Sequence, residues 1–314
     1  MAKPIRLAVI GSGRWGKNIL KTLDTFPECT VAYTATREYA SLLLKDDIDA
    51  VIVATPGGTH AQVALPFIKK GLPTFIEKPL TMTLRDAKRV VVAGKKYRAP
   101  IFVGHIHLYS PAYQLAKNLA KTAGKLRLMI GEGASSGPFR DDMSAMWDWA
   151  PHDLSMMLDI AGTKPIGVEA WGVSVLRPKT RLHDFNYMKL NFPSGLVGVI
   201  HSSKISPEKR RKFTIVGAKD SVVYDDTAEK KVIVYKGIGP SIVGKKITTN
   251  QPEVLFPTYS SEMSLTEELK AFLKMVRTKK VPTTGALQGL EVVAILEAAE
   301  KSISLGGKPI RIKR

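Results

Sequence analysis

Three glycines spaced Gly11-x-Gly13-x-x-Gly16 follow the apolar run Leu7 to Ile10 and precede an amphipathic stretch from Lys17; no other feature constrains this chain as much. A short run of branched apolar residues reads as a buried parallel strand. A glycine turn and a helix N-terminus come next. In that setting the first glycine allows the tight turn, the second lets a pyrophosphate approach the backbone, and the third lets helix pack on strand. The free N–H groups and positive end of the helix would meet the phosphates. Gly11, Ser12, Gly13, Arg14, Trp15 and Gly16 are therefore expected to cradle a dinucleotide.

The next segments fit the same parallel-sheet pattern. Thr30 to Thr36 reads as a second strand. Where an acidic residue would hold the adenosine ribose, the chain has Thr34, Ala35, Thr36 and Arg37, with Glu38 one step later. Arg37 suits a 2′-phosphate but reads equally well as a surface arginine, so both NAD and NADP stay open. The strand Ala50 to Ala54 arrives after only a short helix (Tyr39 to Lys45), so the adenine side is trimmed. Thr55, Pro56 and His60 then lie at the carboxyl end of a parallel strand, where ligands gather. Thr59 is placed to cap the following helix, and His60 could line the cofactor or only hold the loop. A further strand, Pro73 to Ile76, runs into Glu77-Lys78-Pro79, a lysine pinned between strand and proline whose X-Pro bond suits cis. Thr83 caps a helix to Tyr97, and Pro100 to Gly104 ends the alternation.

Beyond it, segments alternate apolar and polar with hairpin punctuation, as in Leu126 to Gly133, Val168 to Leu176, Tyr187 to Phe192 and Leu196 to Ser202. This reads as an antiparallel sheet with one face buried. Helices at 264–278 and 287–305 and a strand from Lys308 to Ile312 complete the pattern. The fold class is an α/β Rossmann-type parallel-sheet domain, trimmed after its second strand, plus an α+β domain with an open, mostly antiparallel sheet. Residues 1–106 are assigned to the first and 107–314 to the second, which would bind substrate and form oligomers. Within the second, Met146 to Leu154 (MWDWAPHDL) opens an apolar helix to Ala161. Asp148 and His152 lie four apart and share a helical face. A histidine oriented by a carboxylate is a ready general acid/base. The plain alternative is that Asp148 or Asp153 caps the helix and His152 is a satisfied buried group.

Composition excludes several functions. No run approaches the roughly 18 apolar residues of a membrane span, and the N-terminus lacks a secretory signal's apolar core. The single cysteine, Cys29, rules out an internal disulfide and fits a reducing cytoplasm. A net charge of +19 admits nucleic acid or an acidic substrate. Its densest cluster, Lys204, Lys209, Arg210, Arg211 and Lys212, lies between two strand-like segments without interleaved aromatics, so a solvated surface is the reading and no nucleic-acid partner is expected. His105 and His107 lack a third ligand, so no metal is expected.

Taken together, Gly11 to Gly16, Ala54-Thr55-Pro56 with His60, Glu77-Lys78-Pro79 and Asp148-x-x-x-His152 resemble the Gfo/Idh/MocA oxidoreductase family over the whole chain. The form Trp147-Asp148-x-Ala150-Pro151-His152-Asp153, with Gly104-His105 and Tyr109-x-Pro111-Ala112, is similar to the branch of UDP-N-acetylglucosamine and UDP-N-acetylglucosaminuronate 3-dehydrogenases. Leu108 stands where that branch often has arginine. The resemblance implies an enzyme: an NAD- or NADP-dependent dehydrogenase moving a hydride from C3 of a nucleotide sugar to the nicotinamide. Lys78 would sit near the reacting hydroxyl, His152 would take its proton, and Asp148 would orient His152 or hold a hydroxyl. His105, Tyr109 and Trp147 fall on the substrate side, and Arg140, in the loop after Gly137-Pro138-Phe139, could offer the substrate a positive charge. The alternatives are a dehydrogenase of another sugar or inositol and a non-catalytic NAD(P)-binding regulator. The open sheet face points to a homodimer or homotetramer.

Overall fold

The computed structural model of the chain describes residues 3–180, 182–237, 241–243, 246–248 and 251–312. They form two compact units: Met1–Tyr109 with Glu262–Ala294, and Ser110–Ser261 with Ile295–Arg314. The first is built on five parallel strands, β1 (Ile5–Ile10), β2 (Cys29–Ala35), β3 (Ala50–Val53), β4 (Thr74–Glu77) and β5 (Ile101–Gly104), in the order β2-β1-β3-β4-β5. Both faces of the central strands are buried, which is why they read as unbroken apolar runs. Helices α1 (Arg14–Leu23), α2 (His60–Lys69) and α3 (Leu84–Lys96) connect them. Between β2 and β3 there is only a 3₁₀ turn, Tyr39–Leu44, so the Rossmann pattern is trimmed as expected. Thr83 caps α3, its hydroxyl oxygen accepting from the Asp86 amide at 3.1 Å. Thr59 stands at the N-cap of α2, but its side chain makes no capping bond. Its hydroxyl turns back to donate to the Pro56 carbonyl at 2.7 Å, because a 3₁₀ turn, Gly57–Thr59, precedes the helix.

The second unit is a nine-stranded sheet packed on helices α4 (Pro111–Ala120) and α5 (Ala145–Ala161). Its strands are β6 (Leu126–Ser136), β7 (Gly167–Val173), β8 (Phe185–Asn191), β9 (Val197–Ser203), β10 (Ile205–Gly217), β11 (Ser221–Asp225), β12 (Val232–Lys236), β15 (Glu253–Leu255) and β16 (Ile310–Arg311). A separate hairpin is made by β13 (Ser241–Val243) and β14 (Lys246–Thr248). The order is β15-β12-β11-β10-β6-β9-β8-β7-β16, antiparallel except for the pair β6–β9. Two glycines set how closely α5 lies on this sheet. A Cβ at Gly131 would stand 2.5 Å from Asp153 Cγ, and one at Gly133 2.7 Å from Trp149 Cβ. Strand β10 is longer than its apolar pattern shows and takes in the basic cluster 209–212, which the sequence placed between strands. A run of consecutive charged residues on a partly solvated strand carries no apolar alternation, so propensity alone misses it.

The remaining helices correct the domain boundary. Helix α6 (Ser264–Thr278) presents Leu265, Leu269, Phe272, Leu273 and Val276 to the core that contains Leu7, Val9, Phe75 and Phe102. Phe272 meets Phe75 and Phe102 edge-on, with ring centroids 5.5 and 5.8 Å apart. Residues 262–294 therefore belong with the first unit, not with 107–314, and the first break falls after Tyr109. Tyr109 stacks on Phe102 at 5.4 Å, and its hydroxyl lies 2.6 Å from Thr284 Oγ1. Periodicity reveals an apolar helical face but not which sheet it will cover. Helix α7 (Ala286–Ser304) contributes to both units, the division falling after Ala294.

Candidate active site

In the first unit, β1 ends on Gly11, whose φ of +109° only glycine adopts without strain. A Cβ there would stand 2.9 Å from the Thr55 amide nitrogen, and one on Gly16 would overlap the Gly11 carbonyl. Gly13 differs: it caps α1 in ordinary extended geometry, and an added Cβ would meet nothing within 4 Å. Two glycines are thus demanded by packing, while the third faces open space at the helix's positive end. No acidic residue stands in the first turn of α1 to compete with a phosphate, and Arg14 opens that turn. A cleft of about 560 Å³ opens here, lined by Gly11, Ser12, Thr34, Thr36, Arg37 and Glu38 among others. The residues fit a dinucleotide: phosphates at the open glycine, adenosine ribose against the end of β2. Glu38 lines the cleft as well as Arg37, although its sequence position looked one step late.

Trp15 ties the glycine loop to the end of β4, its indole N–H donating to Glu77 Oε1. The other Glu77 oxygen accepts from the Lys78 amide at 3.1 Å. Burial pushes the Glu77 carboxyl up to about 7, with the Lys78 charge and the Trp15 bond opposing. Glu268 on α6 is wholly buried, and burial together with Glu77 pushes its carboxyl well above the ordinary range. His105 is also fully buried; burial, then the Lys78 charge, pushes its imidazole down to about 3, so it is neutral. The Lys78–Pro79 bond is cis. His60 has Nδ1 2.8 Å from the Pro79 carbonyl and Nε2 2.8 Å from the Thr55 carbonyl. Each ring nitrogen faces a backbone carbonyl, so His60 bridges the turns after β3 and β4. Burial lowers its pKa while the carbonyls raise it.

In the second unit, α5 positions Trp147, Asp148 and His152. Ser144 is its N-cap, with Oγ accepting from the Trp147 amide at 3.4 Å, so neither Asp148 nor Asp153 has that task. Trp147 and Asp148 are buried. Asp148 Oδ2 lies 3.3 Å from Lys204 Nζ, and its Oδ1 4.0 Å from Arg140. Arg140 is held by Asp142 through two bonds of 2.8 and 2.7 Å, so the charge expected to await a substrate is already matched. At the residue after Asp148 on α5, the Arg211 guanidinium stacks 3.4 Å over Trp149. Its charge opposes the burial that raises the Asp153 carboxyl well above its usual range.

Sequence reasoning missed Lys204. It was read as the head of a solvated cluster, yet it is 1% exposed. A signal existed: Ile200, Ser202 and Lys204 follow the period of two whose inward members are buried. Within the first unit the structure gathers Gly11 to Gly16, Thr55, Glu77, Lys78 and His105 at the carboxyl ends of β1, β3, β4 and β5. Within the second it gathers Asp148 and Arg140 with Lys204, and places Trp147 and His152 on the same helix. Among the described residues no group of three or more His, Cys, Asp or Glu is arranged to hold a metal, and no helix is long and apolar enough to cross a membrane.

Comparison with known proteins gives two family matches. The model described as oxidoreductase family, NAD-binding Rossmann fold, GFO_IDH_MocA, matches residues 27–105, and that of the GFO/IDH/MocA C-terminal domain matches 134–223, together more than half of the chain. Among relatives, UDP-N-acetylglucosamine 3-dehydrogenase of Acidithiobacillus ferrooxidans is 27% identical over 63% of this chain and 63% of its own length. Myo-inositol 2-dehydrogenase of Thermotoga maritima is 25% identical over 83% of this chain and 79% of its own. Among solved structures, an oxidoreductase of Magnetospirillum magnetotacticum superposes with a TM-score of 0.81 at 29% identity, covering 94% of this chain and 99% of that one.

Proposed function

This chain belongs to the Gfo/Idh/MocA oxidoreductase family, and from that premise we propose that it oxidises one ring carbinol of a cyclic polyhydroxylated substrate, delivering the hydride to NAD or NADP. The leading candidate is C3 of a UDP-N-acetylhexosamine. The carrying observation is Asp148, buried and ion-paired, one helical turn before His152 on α5. A bound nicotinamide would supply the hydride acceptor, and the chain's own residues handle the rest. Gly13 and the α1 N-terminus hold the phosphates, and Arg37 and Glu38 face the adenosine end. Lys78 would stabilise the developing alkoxide, His152 would accept the hydroxyl proton, and Asp148 would orient His152.

The uronate form of that substrate has weaker support, because Arg140 is neutralised by Asp142. A neutral inositol is the second reading, favoured by that neutralisation and by the relative that acts on myo-inositol. The test is reduced-nicotinamide absorbance after mixing the protein with NAD or NADP and UDP-N-acetylglucosamine, its uronate, or inositols. Reduction with a sugar nucleotide supports the first reading and reduction with inositol alone the second; a purified protein that binds cofactor yet reduces it with none of these would overturn both.

The chain is further proposed to form a homodimer or homotetramer through the face of the nine-stranded sheet that bears Trp171, Phe185, Tyr187 and His201. Their rings stack into one layer, with Trp171 and Tyr187 centroids 5.5 Å apart and Tyr187 and His201 4.9 Å apart, and Trp171 is 51% exposed. A monomeric mass by light scattering would refute it.

A further inference from the structure

Lys204 lies between β9 and β10 and is among the largest wholly buried side chains of the protein. An ionised ammonium is costly to bury alone. Its environment offers few partners: Nζ is 3.3 Å from Asp148 Oδ2 and donates to the Met143 carbonyl at 3.4 Å. The Lys204 amide donates to the Asp184 carbonyl at 2.8 Å, which pins the residue's backbone. Asp148 is in the complementary position, its side chain only 9% exposed. A carboxylate so placed is driven toward its neutral form by desolvation unless a cation stands against it. Arg140 is more distant, at 4.0 Å, and already engaged by Asp142. Lys204 is the closer counter-charge, and it approaches from the sheet.

We propose that Lys204 is a positioning residue for the reaction: it anchors Asp148 Oδ2 and keeps that carboxylate charged, so that His152, one helical turn along α5, faces a fixed negative charge. The inference rests on His152 being the proton acceptor. Lys204 touches neither substrate nor cofactor in this scheme; it acts through Asp148. The charges that bear on the pair are Arg140, Asp142 and, more weakly, Arg211. Burial lowers the Lys204 pKa and Asp148 raises it, as a dry ion pair requires.

The experiment compares Lys204→Met, Lys204→Arg, Asp148→Asn and the double variant Lys204→Met/Asp148→Asn in the full chain. It reads turnover against pH, cofactor binding by fluorescence, and melting temperature. Lys204→Met should lower turnover about 10- to 100-fold, the range for groups acting through another residue. It should move the acidic limb of kcat/KM upward by about one pH unit or more, since a close opposite charge shifts a carboxylate on that scale. Cofactor affinity should not change. Lys204→Arg should keep the original limb, and the double variant should be no slower than Asp148→Asn alone. Wild-type rate and pH profile in Lys204→Met would overturn the proposal, as would a double variant slowed by the product of the single effects. If Lys204→Met fails to fold, the double variant, which buries no lone charge, still carries the comparison with Asp148→Asn. His152→Ala separates the two readings: unchanged turnover there removes the premise, whereas a large loss there with a silent Lys204→Met removes only this inference.

Discussion

The glycine loop gives the sharpest contrast between packing and binding. Gly16→Ala puts a methyl group onto the Gly11 carbonyl, 2.9 Å from its carbon, and no flexible side chain can yield there. Overpacking against backbone costs about 1–3 kcal/mol or more, from which alanine's better helix propensity returns at most about 1. At about 2–4 °C per kcal/mol for a protein of this size, the melting point should fall by several degrees. Gly13→Ala has open space around the new methyl and an ordinary φ of −65°. Its folding cost should stay within about 1 kcal/mol, the scale of replacing glycine by alanine at an N-cap. The methyl would instead occupy the approach path of the pyrophosphate. Losing one or two phosphate hydrogen bonds, each about 1.5–3 kcal/mol, weakens cofactor binding by at least about tenfold. Thermal melts without cofactor, paired with NADH and NADPH fluorescence titrations, read both effects. A Gly13→Ala protein that melts normally and binds cofactor as the wild type does would refute this reasoning.

Other outcomes are expected. His152→Ala should lower turnover roughly 10²–10⁴-fold with cofactor binding retained, measured by steady-state kinetics and fluorescence titration. Arg37→Glu should raise KM for NADP far more than for NAD, because a carboxylate repels the 2′-phosphate; equal changes would place Arg37 outside the site. Glu77 has a higher pKa folded than unfolded, so its stabilising contribution is complete below the ordinary carboxylate range and is lost as pH rises through about 7. Melting temperature should therefore fall between about pH 5 and pH 8, and Glu77→Gln should flatten that fall.

The first half of the fold was legible because its determinants are local. A strand, a glycine turn and a helix start occupy adjacent residues, and the buried parallel strands are unbroken apolar runs. The Asp148 and His152 spacing was legible for the same reason, since one helical turn brings residues four apart to one face. What escaped depends on pairing across long stretches of chain. Lys204 meets Asp148 only because α5 packs on β9, at whose end Lys204 lies, and its charge makes it look like part of a solvated run. Helix α6 displays its apolar face in sequence, but that face covers strands more than 150 residues earlier, near Phe75 and Phe102. His60 and Thr59 belong to the turn their sequence positions indicate, but which polar atoms their side chains meet depends on the Pro79 carbonyl and the turn at Gly57. Arg140, in a loop that could face the substrate or only solvent, pairs with Asp142 two residues on, a local partner that sequence spacing alone does not single out.

Direct hydride transfer is the central claim, and isotope transfer tests it most directly. UDP-N-acetylglucosamine and myo-inositol, deuterated on the ring carbon to be oxidised, are each incubated with the protein and NAD or NADP, and the reduced cofactor is examined by mass spectrometry. One deuterium is expected on the nicotinamide of the reduced cofactor from one of these substrates, with the label transfer much reduced in His152→Ala. Reduced cofactor that carries no deuterium, or no reduction by a protein that binds the cofactor, would contradict it.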